Sequence, residues 1–195
     1  MRHPSRPTFR SPPQPSGRAL VLLAHPTLHR SRANATLIDA ARGVEGVTVH
    51  DLYDCYPDFD VDAEREQALL SAHPLIVLQF PFYWYSAPAL VKQWMDLVLE
   101  FGWAYGPGGR ALEGKTMLCA LTTGGGEAAY QPDGVNRFTI PELLRPFEQT
   151  AHLCKLRWAD PFVVHGVHRD DPQALLDAGR RYADRIRALS AEVSP

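Results

Sequence analysis

Three short stretches of this chain concentrate side chains able to hold or transform a ligand. The first, His25-Pro26-Thr27-Leu28-His29-Arg30-Ser31-Arg32-Ala33-Asn34, gathers cationic groups, a hydroxyl and an amide just ahead of a helical pattern. At a helix N-terminus the unpaired N–H groups and the positive dipole end favour an anion. The stretch has neither the Walker glycine-lysine pattern nor GxGxxG, so side chains would do most of the holding. It equally fits a capped helix with solvated basic residues. The second stretch, Phe82-Tyr83-Trp84-Tyr85, is a run of rings following Phe80-Pro81. Rings are mostly core residues, but a loop at the end of a strand faces solvent or ligand. The third, Thr122-Thr123-Gly124-Gly125-Gly126-Glu127, permits positive φ angles and close backbone approach to a planar ligand. Glycine loops are common, so alone it says little.

The elements that must position these stretches are legible from hydrophobic pattern. Ala19 to Ala24 and Leu75 to Leu78 are continuous apolar runs, as in strands buried on both faces of a parallel sheet. Lys115 to Thr122 reads as another such strand, Val47 to Asp51 as a short alternating one, and Phe162 to Val167 as a fifth. Helices are expected between them. One carries Leu37, Ala40, Ala41 and Val44 inward, and a short one runs from Ala63 to Ala72. Ser86 is read as the cap of a third, with Pro88 in its first turn and Leu90, Val91, Trp94, Leu97, Val98 and Phe101 at helical spacing. Leu144, Phe147, Ala151 and Cys154 suggest another helix, kinked or started near Pro146. Asp171-Pro172 opens the last, with Leu175, Leu176, Tyr182, Ile186 and Leu189 inward. The alternation predicts an α/β, doubly wound, five-stranded parallel sheet in the order 2-1-3-4-5 with helices on both faces. The three stretches follow strands one, three and four, so they converge on one edge of the sheet.

Composition bounds the function. The length of 195 residues fits one domain, and a formal charge of −2 carries no electrostatic footprint for nucleic acid or anionic membrane. No apolar run is long enough to span a bilayer. Cys55, Cys119 and Cys154 show neither metal-ligand spacing nor a disulfide framework, which favours a reducing cytoplasm. Cys119 and Cys154 read as packing residues. The acidic loop Asp54 to Asp62 lacks the glycine and terminal glutamate of an EF-hand and reads as solvated. Residues 1–17 hold five prolines and four arginines or histidines, without a secretory apolar core; they read as a disordered tail preceding one domain over 18–195.

The segments AHP…SRAN, QFPFYWYSAPALVKQWMD, GWAYGPGG and TTGGGE resemble the NAD(P)H:quinone oxidoreductase branch of the flavodoxin-like flavoproteins. Within it they are most similar to the ancillary flavoproteins of glutathione-gated potassium efflux systems. The resemblance covers about Ala19 to Leu189 and implies non-covalent FMN, NAD(P)H as co-substrate, a quinone or similar acceptor, and a homodimer with the site at the subunit interface. It also implies an efflux transporter as a partner, and so a cytoplasmic protein held peripherally at the inner membrane. Carried over by motif, His25, Ser31, Arg32, Ala33 and Asn34 hold the phosphate. Phe82, Tyr83, Trp84 and Tyr85 offer rings and amides to the flavin, and Thr122, Thr123, Gly124 and Gly125 close the other side.

Some members of the wider family place a tyrosine and a histidine beyond the glycine loop. Tyr130 fits the first role, but Asp133-Gly134-Val135-Asn136-Arg137 has no histidine. Two readings follow: a two-electron NAD(P)H:quinone reductase with Tyr85 and Tyr130 flanking the stacked substrate, or a regulatory FMN-binding subunit of a transporter. A single-electron carrier would be expected to steer its partners with a strong acidic field, which a near-neutral chain lacks. Trp94, Trp103 and Tyr105 are more large rings than one small domain readily buries, which agrees with a dimer.

Overall fold

The computed structural model of the chain describes residues 17–168 and 171–193. The proline-rich tail, Gly17 apart, lies outside them. Five parallel strands, β1 (Ala19–Leu23), β2 (Val47–Asp51), β3 (Leu75–Pro81), β4 (Thr116–Thr122) and β5 (Arg157–Val164), form one sheet in the order β2-β1-β3-β4-β5. This is the order expected.

The central strands are buried throughout because both faces of the sheet are covered. Side chains alternate along a strand. Leu20, Leu22, Ile76 and Leu78 enter one core, with α3 (Ala63–Ala72), α4 (Ala89–Val98) and α6 (Arg145–Leu153). Ala19, Val21, Leu23 and Val77 enter the other, with α1 (Arg32–Arg42) and α7 (Pro172–Glu192). Two one-turn helices, α2 (Leu52–Cys55) and α5 (Ile140–Leu143), complete the first layer.

Several local expectations need correction. Ser86 does not cap α4; Pro88 occupies that position, and Ser86 closes a turn by donating its N–H to Tyr83 O. The helix stops at Val98, so Phe101 lies beyond it and is exposed, and Leu97 within it faces solvent. Strand β5 begins at Arg157 rather than Phe162, and Leu176 of α7 faces solvent. Trp94 is not a surplus ring: it is buried, and its indole N–H donates to Glu66 Oε2 at 2.8 Å.

Glu66 is fully buried and also accepts from His50 Nε2 at 2.8 Å and the Tyr56 hydroxyl at 2.6 Å. Three donors make a buried carboxylate tolerable. All three cysteines are free, with Cys119 and Cys154 buried and Cys55 partly so. Among the described residues, no helix is long and apolar enough to cross a membrane, and no group of three or more His, Cys, Asp or Glu side chains could hold a metal ion.

Candidate ligand-binding site

The carboxyl ends of β1, β3 and β4 open into one cavity of about 810 Å³. It is lined by His25, Ser31, Arg32, Ala33, Asn34, the Phe82–Tyr85 run, Thr122, Gly124, Gly125 and Tyr130, so the sequence-derived site residues meet there with one exception. Thr123 is fully buried and does not line it.

At one end Ser31 caps α1, its hydroxyl oxygen accepting from the Asn34 N–H at 3.2 Å. The remaining first-turn amides of an α-helix have no intrahelical partner, so this end of the cavity offers N–H groups beside the Ser31 hydroxyl and the Arg32 side chain. His25 is buried, which lowers its pKa, and the Thr27 N–H donates to its Nδ1 at 3.1 Å. A ring whose Nδ1 accepts carries its proton on Nε2. His25 is therefore a neutral donor at this end.

Asn34, which lines this end of the cavity, also has a structural job. It is 1% exposed. Its side-chain amide nitrogen donates to Thr122 Oγ1 at 3.0 Å and Ser31 Oγ at 3.3 Å, while Gln79 Nε2 donates to its backbone carbonyl oxygen at 3.1 Å. The residue ties the start of α1 to β4 through its side chain and to β3 through its backbone carbonyl.

The aromatic wall is a tight turn. Tyr83 and Ser86 are bridged, and between them Trp84 and Tyr85 have φ of 50° and 62°. Two successive positive φ values define a type I′ geometry, normally given to Asn or Gly. Large side chains held there cost about 1–3 kcal/mol each, and such strain gathers at ligand clamps. The turn leaves Trp84 92% exposed, and the Tyr85 hydroxyl donates to Asn136 Oδ1 at 3.3 Å. On the facing side the glycine loop presents bare backbone.

Two histidines escaped the sequence reading. The loop after β5 is zipped to the glycine loop: Gly166 N–H donates to Gly125 O at 2.9 Å and Val167 N–H to Thr123 O at 3.0 Å. This brings His165 beside Tyr130, with ring centroids 5.7 Å apart, and His168 to the rim of the cavity. A Cβ on Gly124 would stand 2.7 Å from His168 Nε2, so only glycine admits that ring without displacement. Only the parallel register of β5 with β4 reveals either residue; no local motif marks them.

A five-stranded parallel sheet in this order, with a cationic loop, an aromatic wall and a glycine loop at its carboxyl edge, defines a flavodoxin-like protein. Residues 17–186 match the family model described as flavodoxin-like fold, and the chain belongs to that family. It is 47% identical over 167 residues to the glutathione-regulated potassium-efflux system ancillary protein KefG of Cronobacter sakazakii, covering 86% of this chain and 91% of that one. Among solved structures, general stress protein 14 of Treponema denticola, in complex with FMN, is 37% identical with a TM-score of 0.80, covering 91% of this chain and 99% of that one. A P. pentosaceus protein described as an NADPH-quinone reductase is also 37% identical, with a TM-score of 0.75, covering 91% and 98%.

Proposed function

We propose that this chain is an FMN-binding ancillary flavoprotein that acts with a potassium efflux transporter. The single observation that carries the reading is its 47% identity to KefG over 86% of its length. The cavity agrees with FMN: one end holds phosphate-sized anion donors, and a ring wall faces bare glycine backbone. The relative that binds FMN is 37% identical over nearly its whole length. In this reading the Ser31 hydroxyl, the Arg32 guanidinium, the first-turn amides and His25 Nε2–H hold the phosphate. Phe82 to Tyr85 and Thr122 to Gly125 enclose the ring system, with Asn34 and Thr123 acting from behind. The protein works at the cytoplasmic face of the membrane, held there by its partner. Co-purification with the transporter tests the association. An absorption spectrum, with mass analysis of the released cofactor, tests the ligand. Recovery of FAD, or no flavin after reconstitution, would sink the cofactor assignment.

A second reading, compatible with the first, is an NAD(P)H:quinone oxidoreductase. It is favoured by the open mouth of the cavity, flanked by Tyr85 and Tyr130, and by the 37% identity to a protein described as an NADPH-quinone reductase. FMN, when bound, would supply two-electron transfer between nicotinamide and quinone. Tyr85 and Tyr130 then orient a flat substrate, and Tyr130 donates to the quinone oxygen as charge develops on it. Donor and acceptor enter through the same mouth in turn, which gives ping-pong kinetics. Parallel double-reciprocal lines at several quinone concentrations are the expected result; intersecting lines would require a ternary complex.

The protein is expected to be a homodimer. The rings that motivate this are Trp84, Phe101 and Phe138, which are exposed. Trp94 does not contribute, and Trp103 and Tyr105 pack partly against the protein's own core.

A further inference from the structure

Behind the main cavity lies a second, of about 320 Å³, at the small end of the range for small-molecule sites. Tyr130 lines both and is the partition between them. The smaller cavity has apolar walls, Ile140, Pro141 and Val163 among them, and no lysine or arginine lines it. Its polar lining includes Glu127, Gln131 and His165. The Thr123 hydroxyl donates to Gly125 O at 2.8 Å, so its oxygen accepts from His165 Nδ1 at 3.0 Å. A neutral ring with its proton on Nδ1 keeps an acceptor at Nε2, the nitrogen turned away from Thr123. Burial lowers the pKa of this ring and keeps it neutral, with the Glu127 carboxylate acting in the opposite sense. The cavity therefore presents two acceptors, the carboxylate and Nε2, close enough for one to feel the other's charge.

We propose that the smaller cavity takes the adenine of the reduced nicotinamide dinucleotide, while the nicotinamide lies in the larger cavity on the other side of Tyr130. This rests on the quinone-reductase reading. A dinucleotide is two flat heterocycles on a flexible linker, and two cavities that share one wall suit such a ligand. The smaller cavity alone is too small for the whole molecule and large enough for a purine. Its apolar walls cover the purine faces, and its acceptors meet the purine edge.

The choice of adenine follows from the sign of the polar groups. Adenine carries an amino group with two hydrogens to donate, whereas guanine carries a carbonyl oxygen at the same place. The amino group satisfies the Glu127 carboxylate and His165 Nε2 together. A carbonyl oxygen would set acceptor against acceptor at both. A site built to receive an N–H rejects an analogue that lacks it, because its own polar groups are then left unpaired. The Gln131 amide, which both donates and accepts, is available to the ring nitrogens that flank the amino group. Glu127 comes from the 3-10 helix Glu127–Tyr130 and His165 from the loop after β5, so the subsite is complete within one chain.

The test compares NADH with its hypoxanthine analogue, which differs only in having an oxygen where the adenine has its amino group. In stopped-flow reduction of the FMN-loaded protein, the analogue should show a dissociation constant about tenfold higher or more. The limiting rate at saturation should be the same, because the nicotinamide is unchanged. Glu127→Gln, whose amide can donate to the new oxygen, should bring the two constants close together. A second readout needs neither variant nor cofactor: in ¹⁵N NMR of the cofactor-free protein, ADP-ribose should shift the His165 ring and Val163 amide signals. Equal constants for the two reductants in the unaltered protein, or ADP-ribose shifts confined to the first turn of α1, would overturn the subsite while leaving the reductase reading intact. If neither reductant reduces the flavin, the reductase reading falls and the titration decides the subsite alone. Shifts at Val163 and His165 would then keep an adenine site, and their absence would remove it.

Discussion

The side-chain amide of Asn34, in the first turn of α1, donates to the hydroxyl of Thr122, the last residue of β4, across 3.0 Å. It joins the anion end of the cavity to the glycine loop through the interior of the protein. Asn34→Ala removes this donor and leaves the Thr122 hydroxyl short of a partner in a buried place. The expected cost is about 1–3 kcal/mol. A chain of this size loses roughly 2–4 °C of melting temperature per kcal/mol, so thermal unfolding of the cofactor-free protein checks it. A loss of FMN affinity with no loss of stability would show that Asn34 binds ligand directly.

Ser31 separates phosphate binding from helix capping. Ser31→Ala forfeits the cap, worth about 1 kcal/mol, and also the hydroxyl offered to the anion. FMN affinity should fall by about tenfold or more, the equivalent of one charge-assisted bond of roughly 1.5–3 kcal/mol. Riboflavin, which lacks the phosphate, should bind both forms equally. Fluorescence-quenching titrations with the two ligands make the comparison.

The sheet order and most helices were legible because β1, β3 and β4 are buried on both faces, which leaves an unbroken apolar signature. The anion loop and the aromatic run were legible because each is contiguous. The first half of β5 was not. It is an edge strand, whose exposed Arg157 and Asp160 erase the pattern, and the extra residue it carries opposite Leu118 and Ala120 is accommodated around Pro161. His165 and His168 were hidden for the same reason, since their place depends on where β5 lies beside β4. Trp94 misled because an indole at helical spacing gives no sign of a buried carboxylate waiting for its N–H. The structural bonds of Asn34 were not legible, because its partners Thr122 and Gln79 lie far away in sequence.

Glu66 should set an acid limit on stability. Burial pushes its carboxyl up, but the bonds from His50, Tyr56 and Trp94 outweigh burial and hold it below its ordinary value. A carboxylate depressed in the folded state contributes stability above its unfolded pKa of about 4.3. That stability is lost as pH falls through the lower native value. Glu66→Gln should destabilise by about 3–5 kcal/mol near neutrality. The gap between variant and unaltered protein should narrow as acid is added. Urea unfolding from pH 7 to pH 3.5 measures it; a gap independent of pH would mean that Glu66 is not ionised in the fold.

Tyr130→Phe should slow reoxidation by quinone more than reduction by NAD(P)H. A donor aimed at developing charge is worth about 2.7–4 kcal/mol where it acts alone, so a loss approaching 10²-fold is expected. Stopped-flow measurement of the two half-reactions gives the split; equal slowing of both would reassign Tyr130 to packing.

Trp84→Ala should hardly change the stability of the monomer, because surface changes typically stay within about 0.5 kcal/mol. If the dimer buries this ring, its removal weakens association by about 2 kcal/mol or more, some 30-fold in dissociation constant. Sedimentation with saturating FMN reads the shift, and an unaltered protein that is monomeric at micromolar concentration would exclude the dimer.

The turn at Trp84 and Tyr85 sets two selective pressures against each other. Asparagine followed by glycine would relax both positive φ angles at once and make the free protein more robust. The same exchange would erase the ring wall. A library of this chain screened for heat resistance alone should therefore drift at these two positions toward small residues, and its survivors should be colourless. Screening for retained yellow colour after heating should instead hold Trp84 and Tyr85 fixed and gather its gains elsewhere in the sheet and helices.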